Sequence, residues 1–342
     1  MKSISKVKRK SGGVEVVDIS IPEIKNDEVL VKIKYASICG SDVHAYHFAP
    51  THHFIQPPVT MGHECSGEVA EIGTNVTGYT PGDRVVIEAI EYCGKCESCL
   101  KGKVHICNYF KIRGMHHNGV FTEYVAVKER YLHKVPDALP LEVACLVEPT
   151  AVLCHGVFER SDIKTGDVVL VTGPGPIGLI AAQVIRSAGA TPLIVGIDSD
   201  EQTRLPIARE LGFETINVSC QTVHEALKLR YGRETVDAVV ECSGAPPVFQ
   251  TAIEVVAKGG SITLIGLFPE NVKVNLSIAV RKELNIYTSF SANWKDYERA
   301  IKLLEDGRVE TSNLVSYYKP EDALQAFEDA INKKVAKPVF TF

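Results

Sequence analysis

The strongest constraint on this chain lies near its middle. There, residues 167–172 (DVVLVT) form an apolar run that ends in Gly173-Pro174-Gly175-Pro176-Ile177-Gly178. An unbroken apolar run suits a strand covered on both faces of a parallel sheet. A helical pattern over 177–188 follows and stops at Gly189. A G-x-G-x-x-G string alone is weak evidence, but one placed between strand and helix is strong. The first glycine makes the turn, the second lets a pyrophosphate approach the backbone, and the third lets helix pack on strand. The unpaired N–H groups of the helix N-terminus favour the anion. A turn whose glycines serve packing alone is the alternative, and this context argues against it. Segments 193–197, 201–211, 236–241, 248–256 and 261–265 continue the strand–helix alternation of a doubly wound α/β domain.

The first 150 residues have a different texture. Segments 29–35 (VLVKIKY), 67–72 (GEVAEI), 84–87 and 121–127 (FTEYVAV) are short strand patterns separated by turns such as Pro81-Gly82-Asp83. This half reads as a compact β-rich domain, and 342 residues is enough chain for two domains. Beyond residue 288, amphipathic helices over 294–306 and 320–333 precede a last strand at 338–342. Thirty-seven Lys and Arg against 42 Asp and Glu give a net charge of −5 without a basic stripe, which argues against a nucleic-acid partner. No apolar run approaches the roughly 20 residues of a membrane span. The basic start MKSISKVKRK leads into no apolar h-region, so no export signal is read and a cytoplasmic location is expected.

Ten cysteines in such a chain point to metal or buried thiols before disulfides. Cys93, Cys96 and Cys99 are two residues apart, and Cys107 follows after seven more. Three thiolates at that spacing, joined by a fourth from a returning loop, close a tetrahedral zinc shell with no open position. The site should therefore hold structure and do no chemistry. Two disulfides are the competing reading. A second constellation is dispersed: Cys39 in Ile38-Cys39-Gly40-Ser41-Asp42-Val43-His44, then Gly62-His63-Glu64, then Glu148-Pro149. A thiolate, an imidazole and one or two carboxylates can hold zinc with room for an alcohol oxygen. Each piece alone is weak, since a lone cysteine is more often a small buried hydrophobe.

Taken in order, Cys39–His44, Gly62-His63-Glu64, Pro81-Gly82-Asp83-Arg84-Val85, the four cysteines, Glu148-Pro149 and the glycine turn resemble the zinc-containing medium-chain dehydrogenases. That family includes alcohol, polyol (sorbitol) and threonine dehydrogenases. The resemblance implies an α/β architecture with a GroES-like catalytic domain over 1–150 and a doubly wound Rossmann domain over 151–288. A segment over 289–342 would return to the catalytic domain. It implies two zincs per chain, one structural at Cys93, Cys96, Cys99 and Cys107, and one catalytic at Cys39, His63 and Glu64. Glu148 would be a further carboxylate, bound directly or through water. Glutamate at 148, where the alcohol dehydrogenase branch carries cysteine, resembles the polyol and threonine branch. Ser41 and His44 match the positions that pass the alcohol proton to solvent.

Gly173, Gly175, Pro176, Ile177 and Gly178 would cradle the dinucleotide. Asp198, about twenty residues past the glycine turn, would accept from the adenosine ribose hydroxyls and repel a 2′-phosphate, which favours NAD. The stretch from Gly196 to Arg204 looks one residue longer than the usual polyol dehydrogenase pattern, so Arg204 could approach a 2′-phosphate and NADP is the alternative. Ala45 after His44, and residues 289–293 without an arginine, depart from the sorbitol subfamily. The expected activity is hydride transfer between a secondary alcohol or sorbitol- or iditol-like polyol and NAD. L-Threonine 3-dehydrogenase and an NADP-dependent secondary alcohol dehydrogenase are the alternatives. A zinc-free quinone reductase or a non-catalytic relative would lack the zinc sets. His47, His52, His53, His116 and His117 receive no ligand role. A homo-oligomer, dimer or tetramer, is expected, with 261–267 and 273–276 fitting an edge-strand interface.

Overall fold

The computed structural model describes residues 1–342 and divides into two compact units. The first comprises Met1–Ala151, Asn293–Asp306 and Leu314–Phe342. Its main sheet runs in the order Leu132–Lys134, Arg84–Ile87, Glu64–Ile72, Glu28–Ser37, Lys337–Thr341 and Val315–Tyr318, with Tyr124–Lys128 also paired to Glu28–Ser37. A small sheet of Val14–Asp18, Lys2–Lys6 and Val59–Thr60 accompanies it. Alternating Val29, Val31 and Ile33 enter a core with Ile4, Met61, Phe121, Phe327 and Phe340. Phe121 and Phe340 meet edge to face at 5.1 Å, a preferred aromatic geometry. The Glu28–Ser37 and Glu64–Ile72 pairing shifts register twice, between Leu30 and Val31 and between Ile33 and Tyr35, and sets Ser37 opposite Glu64. The chain's last strand is thus an interior strand of this unit.

The second unit, Val152–Ala292 with Gly307–Asn313, carries a six-stranded parallel sheet. Its order is Glu214–Asn217, Thr191–Gly196, Val168–Thr172, Val236–Glu241, Val256–Leu264 and Asn285–Thr288. Leu170, Leu193, Val239 and Ile262 are fully buried between helices. The returning segment is not a single block, because residues 307–313 belong to this unit.

Two local readings change. The helix expected from residue 201 begins at Arg204, because Asp198–Asp200 forms a 3₁₀ turn in which Asp200 accepts the Ile197 N–H at 3.1 Å. Residues 261–264 are also not an edge, since Asn285–Thr288 pairs alongside them and becomes the last strand.

Candidate metal centres and cofactor site

In the cysteine lobe the four thiols converge. Cys96 Sγ lies 3.5 Å from Cys99 Sγ and 3.7 Å from Cys107 Sγ, and Cys93 lies 3.9 Å from Cys99. A tetrahedral ion at a Zn–S distance of 2.3 Å needs sulfur edges of about 3.8 Å. None of the ten cysteines is in a disulfide. Gly94 and Gly102 take φ of +74° and +73°, turns that suit glycine. Backbone N–H groups point at the sulfurs: Cys93 at Cys107 (3.3 Å), Cys96 at Cys93 (3.3 Å), Asn108 at Cys96 (3.5 Å) and Tyr109 at Cys107 (3.3 Å). Donors of this kind stabilise thiolate and bring Cys96 down to about 6, whereas burial pushes Cys99 up to about 12. The donor set fits zinc.

The second cluster lies wholly in the first unit. Cys39 caps the helix Gly40–His47, His63 precedes the strand Glu64–Ile72, and one ligand atom from each of Cys39, His63 and Glu64 lies within 4.8 Å of the others. Glu64 is fully buried, yet its Oε1 has no hydrogen-bond partner, and neither has His63 Nδ1. Orphaned buried acceptors cost stability unless something binds them, so a cation fits here. Glu64 Oε2 is taken by Lys337 Nζ at 2.5 Å and by the Ser37 hydroxyl. Asp42, fully buried, accepts the Cys39 N–H at 3.0 Å and turns Oδ1 toward His63 Nδ1 at 3.7 Å. At that distance the carboxylate acts on the imidazole through charge, without a hydrogen bond between them. Burial opposes a charge on His63, but Asp42 and Cys39 hold it well above the usual histidine range. A dication can replace that proton as counter-charge.

Glu148, on the helix Val147–Cys154, stands outside the three-residue cluster but within its field. Burial raises its carboxyl to about 7 against the opposing pull of His63. Ser41 Oγ is 3.5 Å from His63 Nε2. His44 lies one turn further along that helix and stacks on His52 at 5.5 Å, and burial lowers its pKa. His116 stacks on Phe54, His117 lies 3.4 Å from Glu91, His47 meets Ser11, and His53 meets the Phe48 carbonyl. The sequence reading missed two residues here. Asp42 was readable as the N3 carboxylate of a helix capped at Cys39, whereas Lys337 carries no local signal.

In the second unit the glycine turn separates three environments. Gly173 has φ +87°. A Cβ on Gly175 would meet nothing within 4 Å, while one on Gly178 would lie 1.9 Å from the Gly173 carbonyl. Gly175 caps the helix Pro176–Ser187, so Pro176 and Ile177 form its first turn. Asp198 is exposed at the end of the second sheet strand and accepts from Asn217 Nδ2 at 2.8 Å. Arg204 pairs with Asp200 at 3.8 Å.

Two family models match the chain: the alcohol dehydrogenase GroES-like domain over residues 25–137, and the zinc-binding dehydrogenase model over 176–306. A sorbitol dehydrogenase of Halalkalibacterium halodurans is 37% identical over 93% of this chain and 92% of its own length. An L-threonine 3-dehydrogenase of Pyrococcus horikoshii is 34% identical over 99% and 98%. The crystal structure of a zinc-binding dehydrogenase from Sinorhizobium meliloti bound to NADP superposes with a TM-score of 0.91. It is 30% identical and covers 100% of this chain and 99% of that one.

Proposed function

The chain belongs to the zinc-containing medium-chain alcohol dehydrogenase family, and we propose that it oxidises a secondary alcohol with neighbouring hydroxyls, a sorbitol- or iditol-like polyol, using NAD. One observation carries this reading: a thiolate, an imidazole and a carboxylate converge with an unsatisfied Glu64 oxygen, and an acidic residue, Glu148, stands beside them. Zinc bound there supplies Lewis acidity that lowers a substrate hydroxyl's pKa, while the dinucleotide accepts hydride. Cys39, His63 and Glu64 would hold the metal, with Glu148 as a further carboxylate bound directly or through water, and the Asp42 charge would face the imidazole. Ser41 takes the hydroxyl proton. His44, kept neutral by burial, receives it on the way to solvent.

The first unit is the catalytic domain and the second the nucleotide-binding domain. Gly173, Gly175, Pro176, Ile177 and Gly178 hold the pyrophosphate, and the exposed Asp198 reads the ribose. Arg204 is occupied by Asp200, which favours NAD over NADP. The chain works as a cytoplasmic homo-oligomer, a dimer or tetramer. Its contact is the edge strand Asn285–Thr288 with the exposed Leu267, Leu276, Val280 and Ile286. L-Threonine is the second reading, on the strength of the Pyrococcus relative.

A panel of polyols, L-threonine and simple secondary alcohols, scored by NADH and NADPH formation, tests the reading. Polyols with NAD should give the highest kcat/KM, and Cys39→Ser should abolish turnover while leaving the protein folded. Preferred threonine oxidation, or turnover that survives Cys39→Ser, refutes it.

A further inference from the structure

The second unit buries a carboxylate that the reading above does not use. Glu241 ends the strand Val236–Glu241 and is 0% exposed. Its partners are neutral donors: Ser243 N–H at 2.7 Å, Gly244 N–H at 3.0 Å, Thr172 Oγ1 at 3.3 Å, and the Ser243 hydroxyl. Burying an anion without a cationic partner is costly, and such a group is kept where it organises something else.

What it organises is set by topology. The central strand Val168–Thr172 has Thr191–Gly196 on one side and Val236–Glu241 on the other. The order in which successive strands join the sheet therefore reverses between Val168–Thr172 and Val236–Glu241, and ligands of open parallel sheets bind outside the strand ends at such a point. Gly173 leaves one of those ends and Ser243 the other. A Cβ on Gly173 would lie 2.8 Å from Ser243 Cβ. The Glu241 carbonyl accepts the N–H groups of Ile265 and Gly266, both at 2.9 Å, and a Cβ on Gly266 would meet Glu241 Oε2 at 2.5 Å. One residue thus ties the ends of three neighbouring strands around the glycine turn.

We propose that Glu241 is a positioning residue for the dinucleotide: its carboxylate pins the 242–245 turn against Gly173 and so fixes the wall along which the pyrophosphate half lies. The proposal rests on the reading of this unit as the nucleotide-binding domain. Ser243→Ala and Glu241→Gln test it in the zinc-loaded protein. The measurements are NADH fluorescence titration, calorimetric titration with ADP-ribose, thermal unfolding and steady-state kinetics. Glu241→Gln keeps the shape but loses the charge and part of the acceptor capacity. The dissociation constants for NADH and ADP-ribose should both rise about tenfold, the value of one charge-assisted hydrogen bond. KM for the dinucleotide should rise with them, while kcat and KM for the alcohol stay at wild-type values. Ser243→Ala should weaken both ligands about threefold, and the double variant should be no worse than Glu241→Gln alone. A lowered unfolding temperature with unchanged dissociation constants overturns the proposal. If Glu241→Gln does not fold, unchanged affinity in Ser243→Ala overturns it alone. A wild-type protein that binds neither NADH nor NADPH refutes the nucleotide-domain reading itself, whereas normal wild-type binding with unaffected variants refutes only the role of Glu241.

Discussion

Replacing Lys337 by methionine isolates the energetics of the metal cluster. Its ammonium meets Glu64 at 2.5 Å, with the two side chains 2% and 0% exposed. Methionine keeps most of the volume and leaves the buried Glu64 without its cationic partner. Breaking a buried pair from one side costs about 3–5 kcal/mol, a large share of the roughly 5–15 kcal/mol that holds a typical protein folded. A zinc held by Cys39, His63 and Glu64 would offset part of that charge, so the loss should be greater in metal-stripped protein than in zinc-loaded protein. Burial opposes the charge on Lys337, but Glu64 and Cys39 outweigh it and raise its pKa above the ordinary lysine value. A raised lysine contributes stability that is fully present below its unfolded pKa and lost only as pH rises through the folded one. The titration of Lys337 itself should therefore add no change to the penalty between pH 6 and 9. Trp294, the chain's only tryptophan, sits in the same unit with its ring 4.0 Å from that of His133, and reports urea unfolding there. The double variant Lys337→Met/Glu64→Gln should recover most of the loss. A single-variant cost below about 1 kcal/mol, or no recovery in the double variant, would show that the pair is not buried as described.

Two further outcomes are expected. Cys96→Ser should lower bound zinc from about two to about one per chain and increase proteolysis within 93–107; two zincs retained in elemental analysis would contradict a four-thiolate shell. Asp198→Gly should lower kcat/KM for NAD about tenfold or more and raise it for NADP; an unchanged ratio would mean that another group reads the ribose.

Features carried by spacing were legible before the fold was known. The cysteine lobe is a local loop, and its four sulfurs close on one point because Gly94 and Gly102 turn the backbone there. The glycine turn is likewise local, since strand, turn and helix follow directly in the chain. Asp42 was local too, and its relation to His63 emerges only when the helix Gly40–His47 is set beside the strand that begins at Glu64. Lys337 was invisible because no periodicity links it to Glu64; sheet pairing alone brings the last strand beside Glu28–Ser37 and so near Glu64. The outer edge of the second sheet was misplaced for a related reason. Asn285–Thr288 is four residues long, too short and too polar for its pattern to register, yet it takes the edge from Val256–Leu264.

The interior position of Lys337–Thr341 also sets an order of assembly. A nascent chain that has exposed residues 1–151 already carries Cys39, His63 and Glu64, but not the strand that extends their sheet beyond Glu28–Ser37 or the ammonium that neutralises Glu64. The whole second unit must be synthesised before that strand can pair with Glu28–Ser37, a contact of high sequence separation and correspondingly slow formation. Until then the edge of Glu28–Ser37 that will receive the last strand is open to pairing with other chains. The first unit starts first and is completed only after the second, and the buried Lys337–Glu64 pair forms only once residue 337 has emerged.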